Sequence, residues 1–232
     1  MKTIEMQFSD EKNYFLREAF NTLRTNILFC GKQVKTIVVT SCIAHEGKTT
    51  VSLELSRSLA EADKKVLLVD ADLRKSVMLA RYTAAKDVSG LSQFLSGQAE
   101  LDDVIFHTQQ EHLDVIFSGP FPPNPTELVG SQVFSDLLET VRPQYDYVIV
   151  DAPPLGLVID AAVIANVCDG SVIVINQGKV KYRRAQIVAD QLKKSGSKIL
   201  GVVLNQTDRR RHRNSDDSYY SHYGYYSSEK KE

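Results

Sequence analysis

Thr36-Ile37-Val38-Val39-Thr40-Ser41-Cys42-Ile43-Ala44-His45-Glu46-Gly47-Lys48-Thr49-Thr50 joins an apolar, β-branched run to a loop ending in glycine, lysine and two threonines. Strand, tight loop and helix start, in that order, make a phosphate site. Backbone N–H groups and the helix N-terminus face the phosphates, a lysine reaches the outer ones, and a hydroxyl ligates magnesium. Gly47, Lys48 and Thr49 fill the last three places of the pattern, whereas its first glycine place holds Cys42. The strict pattern fails by one residue, so the surroundings of the loop decide the fold.

Two further apolar runs end in aspartate: Val66-Leu67-Leu68-Val69-Asp70-Ala71-Asp72-Leu73-Arg74 and Tyr147-Val148-Ile149-Val150-Asp151-Ala152-Pro153-Pro154. Carboxylates at strand C-termini line the crevice where open α/β sheets bind ligands. Similar runs recur at Leu113–Phe117, Val172–Ile175 and Ile199–Leu204, and they are continuous rather than alternating, as a parallel sheet covered on both faces requires. Helical patterns lie between them at Lys48–Ala62, Thr126–Val141 and Val180–Ser195, the last stopped by Ser195-Gly196. The fold class is therefore α/β, a mostly parallel sheet of the phosphate-loop NTPase kind with helices on both faces. Asn124, Pro125 and Glu127 have the chemistry of a helix start at N-cap, N1 and N3. Asn205, at the end of a strand, offers an amide donor and acceptor to a nucleotide base. Asp160 suits either a helix cap or a place in the phosphate site.

With 232 residues and 43% hydrophobic content, the chain is expected to form one domain over 1–207 and a tail over 208–232. A net charge of -1 gives no global electrostatic case for nucleic acid or an anionic membrane. Cys30, Cys42 and Cys168 lack metal-ligand spacing, which points to a reducing compartment. Met1 to Phe8 does not read as a signal peptide and no run approaches the roughly 18 apolar residues of a spanning helix, so a cytoplasmic location is expected. Residues 1–35 hold a predicted helix whose apolar face is Leu16, Ala19, Phe20, Leu23 and Ile27, turned to its own domain or to another subunit. From Asp208 the chain runs through Arg209-Arg210-Arg211-His212-Arg213 into Ser, Asp, Tyr and Gly without one aliphatic side chain, a composition that predicts disorder. Tyr219, Tyr220, Tyr223, Tyr225 and Tyr226 cluster there.

Taken together, these motifs resemble the bacterial tyrosine kinases of capsule and exopolysaccharide synthesis, in the form whose cytoplasmic kinase is separate from its membrane activator. The resemblance spans essentially the whole chain, from Glu18-Ala19-Phe20-Asn21-Thr22-Leu23-Arg24 through the loop, Asp70-Ala71-Asp72-Leu73-Arg74, Asp151-Ala152-Pro153-Pro154 and Gly201-Val202-Val203-Leu204-Asn205 to the tyrosines. It implies an ATP and magnesium enzyme. Ala44, His45, Glu46, Gly47, Lys48, Thr49, Thr50 and Asn205 would bind nucleotide; Thr49, Asp72 and Asp151 would organise magnesium; Asp70 would accept the tyrosine proton. The five clustered tyrosines would be the phospho-acceptors. Glu18 and Arg24 would make oligomer contacts in a ring, and a transmembrane activator and a cognate tyrosine phosphatase would be partners. The family's usual Pro-Gly before Glu46 is Ala44-His45 here, and its Glu-x-x-Arg-x-x-Arg pattern has Asn21 in the middle place. The alternatives are an ATPase switch of the partition and septum-placement type, and a nucleotide-sensing adaptor. Asn205 to Tyr219 spans 14 residues, at most about 46 to 50 Å extended, so the tail reaches either its own site or a neighbour's.

Overall fold

A computed structural model of the chain describes residues 2–8, 14–85 and 88–207. In chain order its elements are β1 (Lys2–Ile4), α1 (Tyr14–Leu28), β2 (Thr36–Ser41), α2 (Lys48–Ala60), β3 (Val66–Asp70), α3 (Met78–Tyr82), α4 (Leu91–Leu95), α5 (Leu101–Val104), β4 (Ile105–Thr108), β5 (Leu113–Ile116), α6 (Pro125–Val129), α7 (Gln132–Val141), β6 (Tyr147–Asp151), α8 (Asp160–Ala165), β7 (Gly170–Asn176), α9 (Tyr182–Lys194) and β8 (Ile199–Asn205). The strands form one sheet in the order β1-β4-β5-β3-β6-β2-β7-β8. Every neighbouring pair is parallel except β4 with β5.

Every residue of β2, β3 and β6 is buried, which explains why their sequences are unbroken apolar runs. Successive side chains point to opposite faces. Val38, Leu67, Val148 and Val150 therefore join a core with Phe134, Leu137 and Leu138 of α7 and Val188 and Leu192 of α9. Ile37, Val39, Leu68 and Ile149 join the other core, with Ile27 of α1 and Val51, Leu55 and Leu59 of α2. Fully burying each such side chain contributes about 1.5–3 kcal/mol.

Several expectations change. The helix expected within residues 1–35 is α1, with Ile27 buried and Phe20 and Leu23 packed on the core but Ala19 exposed, and Lys2–Ile4 adds an unforeseen strand paired with β4. The helix expected over 126–141 is two helices, because Ser131 stops one and caps the next, its side chain accepting from the Phe134 N–H at 3.3 Å. Asn124 does precede α6, but its amide donates to Glu127 at 2.8 Å instead of capping the backbone. The region 208–232, with the tyrosine cluster, lies outside the described residues.

Asp169 locks the end of the sheet opposite the phosphate loop. Its Oδ2 accepts from the N–H groups of Lys35 and Thr36, each at 2.8 Å, from Thr36 Oγ1 at 3.0 Å and from Arg142 Nη1 at 2.6 Å. Burial pushes its pKa up, but Arg142 and these donors prevail and hold it below the usual carboxylate range. Asp169→Ala should cost about 2–4 kcal/mol, since removing one partner strands several donors. Chemical denaturation measures this, and a loss under about 0.5 kcal/mol, the range of ordinary surface changes, refutes it. Among the described residues no helix is long and apolar enough to cross a membrane.

Candidate active site

The central strands bring the three motifs together. β6 lies between β2 and β3, with Asp151 opposite both Val39 and Asp70. The phosphate loop leaves β2 and turns into α2 at Lys48. Gly47 makes that turn at φ 87, a left-handed conformation suited to glycine, and an added Cβ would lie 2.1 Å from Asn205 Nδ2. His45 also holds a left-handed backbone, at φ 64, in a place where the resembled family carries glycine.

Lys48 Nζ pairs with Asp72 Oδ2 at 3.0 Å. Burial lowers the lysine's pKa, but the charges of Asp151, Asp72 and Asp70 outweigh it, so Lys48 stays firmly cationic. Asp151 accepts from Ser52 Oγ at 3.2 Å and from Thr49. Burial nonetheless raises its pKa against the pull of Lys48 and these hydroxyls. Asp70 is buried and accepts from the Ser76 hydroxyl. Burial first, and the Asp151 charge second, push its pKa up to about 7. Thr49, Asp72 and Asp151 thus supply hard oxygen donors beside a lysine, a set that fits magnesium, which binds through one or two carboxylates plus phosphates and water. The described residues contain no cage of three or more acidic, His or Cys side chains.

Glu46 supports the phosphate loop from within. It is 1% exposed, and its carboxylate accepts from the N–H groups of Cys42 at 2.6 Å, Ile43 at 2.7 Å and Asn176 at 2.9 Å. It ties the start of the loop to its end and to β7. Glu46→Gln puts an NH2 group against an N–H donor, so we expect a loss of about 2–3 kcal/mol, on the scale of a charge-assisted hydrogen bond. Equal unfolding midpoints for the two proteins would exclude this role.

Asn205 reaches the loop, its Nδ2 donating to the Glu46 carbonyl at 2.9 Å while its Oδ1 accepts from Gln206 N–H at 2.9 Å. Each amide atom keeps one further donor or acceptor for a base. Asp160 neither caps a helix nor enters the phosphate site. Buried to 2% exposure at the first turn of α8, it accepts from Arg74 Nε at 2.7 Å and Nη2 at 3.2 Å, and from Thr126 Oγ1 at 2.7 Å. That fork anchors the turn carrying Asp70 and Asp72. Away from the site, Arg24 is engaged within its own subunit, on the Ser58 carbonyl of α2 at 2.7 Å, and Glu18 accepts from Asn21 at 3.1 Å. Among functional residues not singled out in the sequence are Ser76 and Ser52, whose hydroxyls hold Asp70 and Asp151. Gly156 is another: a Cβ there would lie 2.0 Å from the Cys42 carbonyl oxygen. The only sequence signal for Gly156 is its place just after Pro153-Pro154.

A family model described as an AAA domain matches residues 34–194. The tyrosine-protein kinase CpsD of Streptococcus agalactiae serotype III (strain NEM316) is 45% identical over 191 residues, covering 82% of each protein. The chain belongs to the bacterial tyrosine kinases. Among solved structures, the bacterial tyrosine kinase fold of this chain is similar to the chimerical protein CapA2B2, with a TM-score of 0.82 and 33% identity over 90% of this chain and 95% of that one. The septum site-determining protein MinD of Pyrococcus horikoshii OT3, solved with Mg-ADP, is more distant at a TM-score of 0.64 and 29% identity over 76% and 72% of the two chains. The sheet is thus shared with this septum site-determining protein, and the stronger likenesses are to CpsD in sequence and to CapA2B2 in structure.

Proposed function

We propose that the chain is an ATP-dependent protein-tyrosine autokinase that transfers the γ-phosphoryl group of ATP to Tyr219, Tyr220, Tyr223, Tyr225 and Tyr226, and so regulates capsular or exopolysaccharide synthesis and export. The observation that carries this is the placement of Asp70, a buried carboxylate at the end of β3, opposite Asp151 and two residues from Asp72, the partner of Lys48. A tyrosine near pH 7 needs about 3 pKa units, roughly 4 kcal/mol, to ionise fully. Phosphoryl transfer is largely dissociative, so the protein mainly positions the hydroxyl and stabilises spread charge. Lys48 draws the outer phosphates, and the loop N–H groups orient them. Asp70 takes the tyrosine proton as the oxygen–phosphorus bond forms and the bond to the β-phosphate oxygen breaks, leaving ADP. Thr49, Asp72 and Asp151 would hold magnesium, which would supply charge neutralisation on the phosphates.

The likeness to the CapA2B2 chimera supports a kinase that works with a second polypeptide. For this chain we assign that role to a transmembrane activator that holds it at the inner face of the membrane. A ring of unphosphorylated copies and a cognate phosphatase complete the proposed cycle.

The deciding experiment is intact-mass spectrometry after incubation with Mg-ATP and the activator's cytoplasmic peptide. The parent should gain phosphate-sized mass increments; Lys48→Met and the variant with all five tail tyrosines changed to Phe should gain none. Free phosphate released without phosphotyrosine would instead favour the switch ATPase.

A further inference from the structure

The loop from β7 to α9 and the first turn of α9 carry Lys179, Lys181, Arg183 and Arg184, all exposed. No acidic residue occurs between Asp169 and Asp190, and among the described residues none of these four cations is in an ion pair. Four unpaired cations on so short a stretch are a concentrated positive field, while the chain as a whole is near neutral. Arg184, the last of the four, lines a groove of about 300 Å³ between the loop after β6 and α9. Leu157, Ile159 and Ile187 on its walls are 57%, 51% and 52% exposed, and Arg184 stands among them, its Nη2 on the Gly156 carbonyl at 3.2 Å. Gln191 also lines the groove, and its buried Oε1 has no hydrogen-bond partner among the described residues.

Apolar walls beside unpaired guanidinium and ammonium groups suit an aromatic ring that ends in an anion. The chain itself supplies such groups nearby. β8 runs in register with β7 to Asn176↔Asn205, the Gln177 N–H donates to the Asn205 carbonyl at 3.1 Å, and Asn176 Nδ2 donates to Gln206. The last described residue, Thr207, therefore leaves the fold beside the loop that carries Lys179 and Lys181. The twelve residues from there to Tyr219 span about 40 Å when extended, and the remaining tyrosines follow within seven residues. Unmodified, the segment 208–232 has six Lys and Arg side chains against five Asp and Glu, and its Arg209–Arg213 run has the same sign of charge as the Lys179–Arg184 stretch. Each phosphate adds about -1.5 to -2, so five turn the segment strongly anionic.

We propose that Lys179, Lys181, Arg183 and Arg184, with the groove beside them, form a phosphotyrosine-binding site for this chain's own phosphorylated C-terminal segment. The site distinguishes the two states of the segment by charge: it repels the unmodified form and holds the modified one through charge-assisted hydrogen bonds from Arg and Lys, with tyrosyl rings against Leu157, Ile159 and Ile187. This rests on the tail being the phospho-acceptor, but binding itself requires no catalysis.

The test uses the full-length chain with all five tail tyrosines changed to Phe, so that no endogenous phosphotail competes. The probes are synthetic peptides spanning residues 214–228, either unmodified, phosphorylated at the five tyrosines, or with Glu at those five places. Fluorescence anisotropy should show the phosphopeptide binding at least tenfold tighter than both others. Changing Lys179, Lys181 and Arg183 together to Ala should remove most of that difference, and hydrogen exchange should slow in 177–191 when the phosphopeptide is bound. Equal affinity for the Glu peptide would mark a general site for acidic partner proteins and overturn the proposal. Displacement of the phosphopeptide by Mg-ATP would place it at the catalytic site and overturn it as well. Because the peptides arrive already phosphorylated, failure of autophosphorylation in the earlier experiment leaves this outcome unaffected.

Discussion

Gly156→Ala is expected to lower nucleotide affinity by at least about 100-fold, or roughly 2.7 kcal/mol, while leaving a folded protein. The new Cβ would sit 2.0 Å from the Cys42 carbonyl oxygen and 3.0 Å from the carbonyl carbon. Neither atom is the end of a flexible side chain. Cys42 cannot move away freely, because its N–H is held at 2.6 Å by Glu46, whose carboxylate also fixes Ile43 and Asn176. The clash is therefore passed along the loop, displacing the N–H groups that a phosphate needs, and each hydrogen bond lost to a charged group costs about 1.5–3 kcal/mol. Titration with a fluorescent ATP analogue, alongside circular dichroism, measures it. Affinity within threefold of the parent, in a folded protein, would show that the two loops move independently.

Asp70→Asn should produce two opposite effects, slower transfer and a more stable fold. Transfer should fall by about 10²–10⁴, the usual contribution of a positioned proton acceptor. Stability responds through the buried carboxyl, whose pKa is about 7 when folded, against about 3.9 in an unfolded chain. Between those values the folded protein holds a proton that the unfolded chain releases. The contribution of neutral Asp70 is thus fully present below about pH 4 and is lost as pH rises through 7. Asparagine resembles the protonated acid at every pH, so the variant should exceed the parent at pH 8 by about 1–3 kcal/mol, or several degrees in melting temperature, and much less at pH 5. A gain of the same size at both pH values, or a loss at pH 8, would mean that burial of the charge is not what strains this position.

How much of this was legible in the sequence depended on whether the signal was local. Continuous Val and Ile runs gave away β2, β3 and β6 because both of their faces are buried, and the terminal aspartates marked which end of the sheet carries chemistry. β1 and β4, at three and four residues, are too short to show a period. The break at Ser131 was hidden because the apolar spacing runs on through it, and only the hydroxyl's bond to Phe134 reveals a new cap. Asp160 was ambiguous for a different reason: its partner Arg74 lies 86 positions earlier in the chain, and one sequence carries no record of such pairings. Glu46 and Gly156 were illegible as loop supports, since the first looks like a nucleotide contact and the second like an ordinary turn residue.

The position of β2 at the middle of the sheet also constrains when the enzyme can exist. Thr36 pairs with nothing nearby in sequence; its strand rests between β6 and β7, with Thr36 opposite Val148 and Ser41 opposite Val174. Chain-closure entropy must be overcome across more than a hundred residues before that strand is held, which makes its docking a slow step. During synthesis, the phosphate loop leaves the ribosome early but has no frame until β7 has followed it out. Asn205, whose amide holds the Glu46 carbonyl, follows later still at the end of β8, so a growing chain has no complete site until that last strand has emerged.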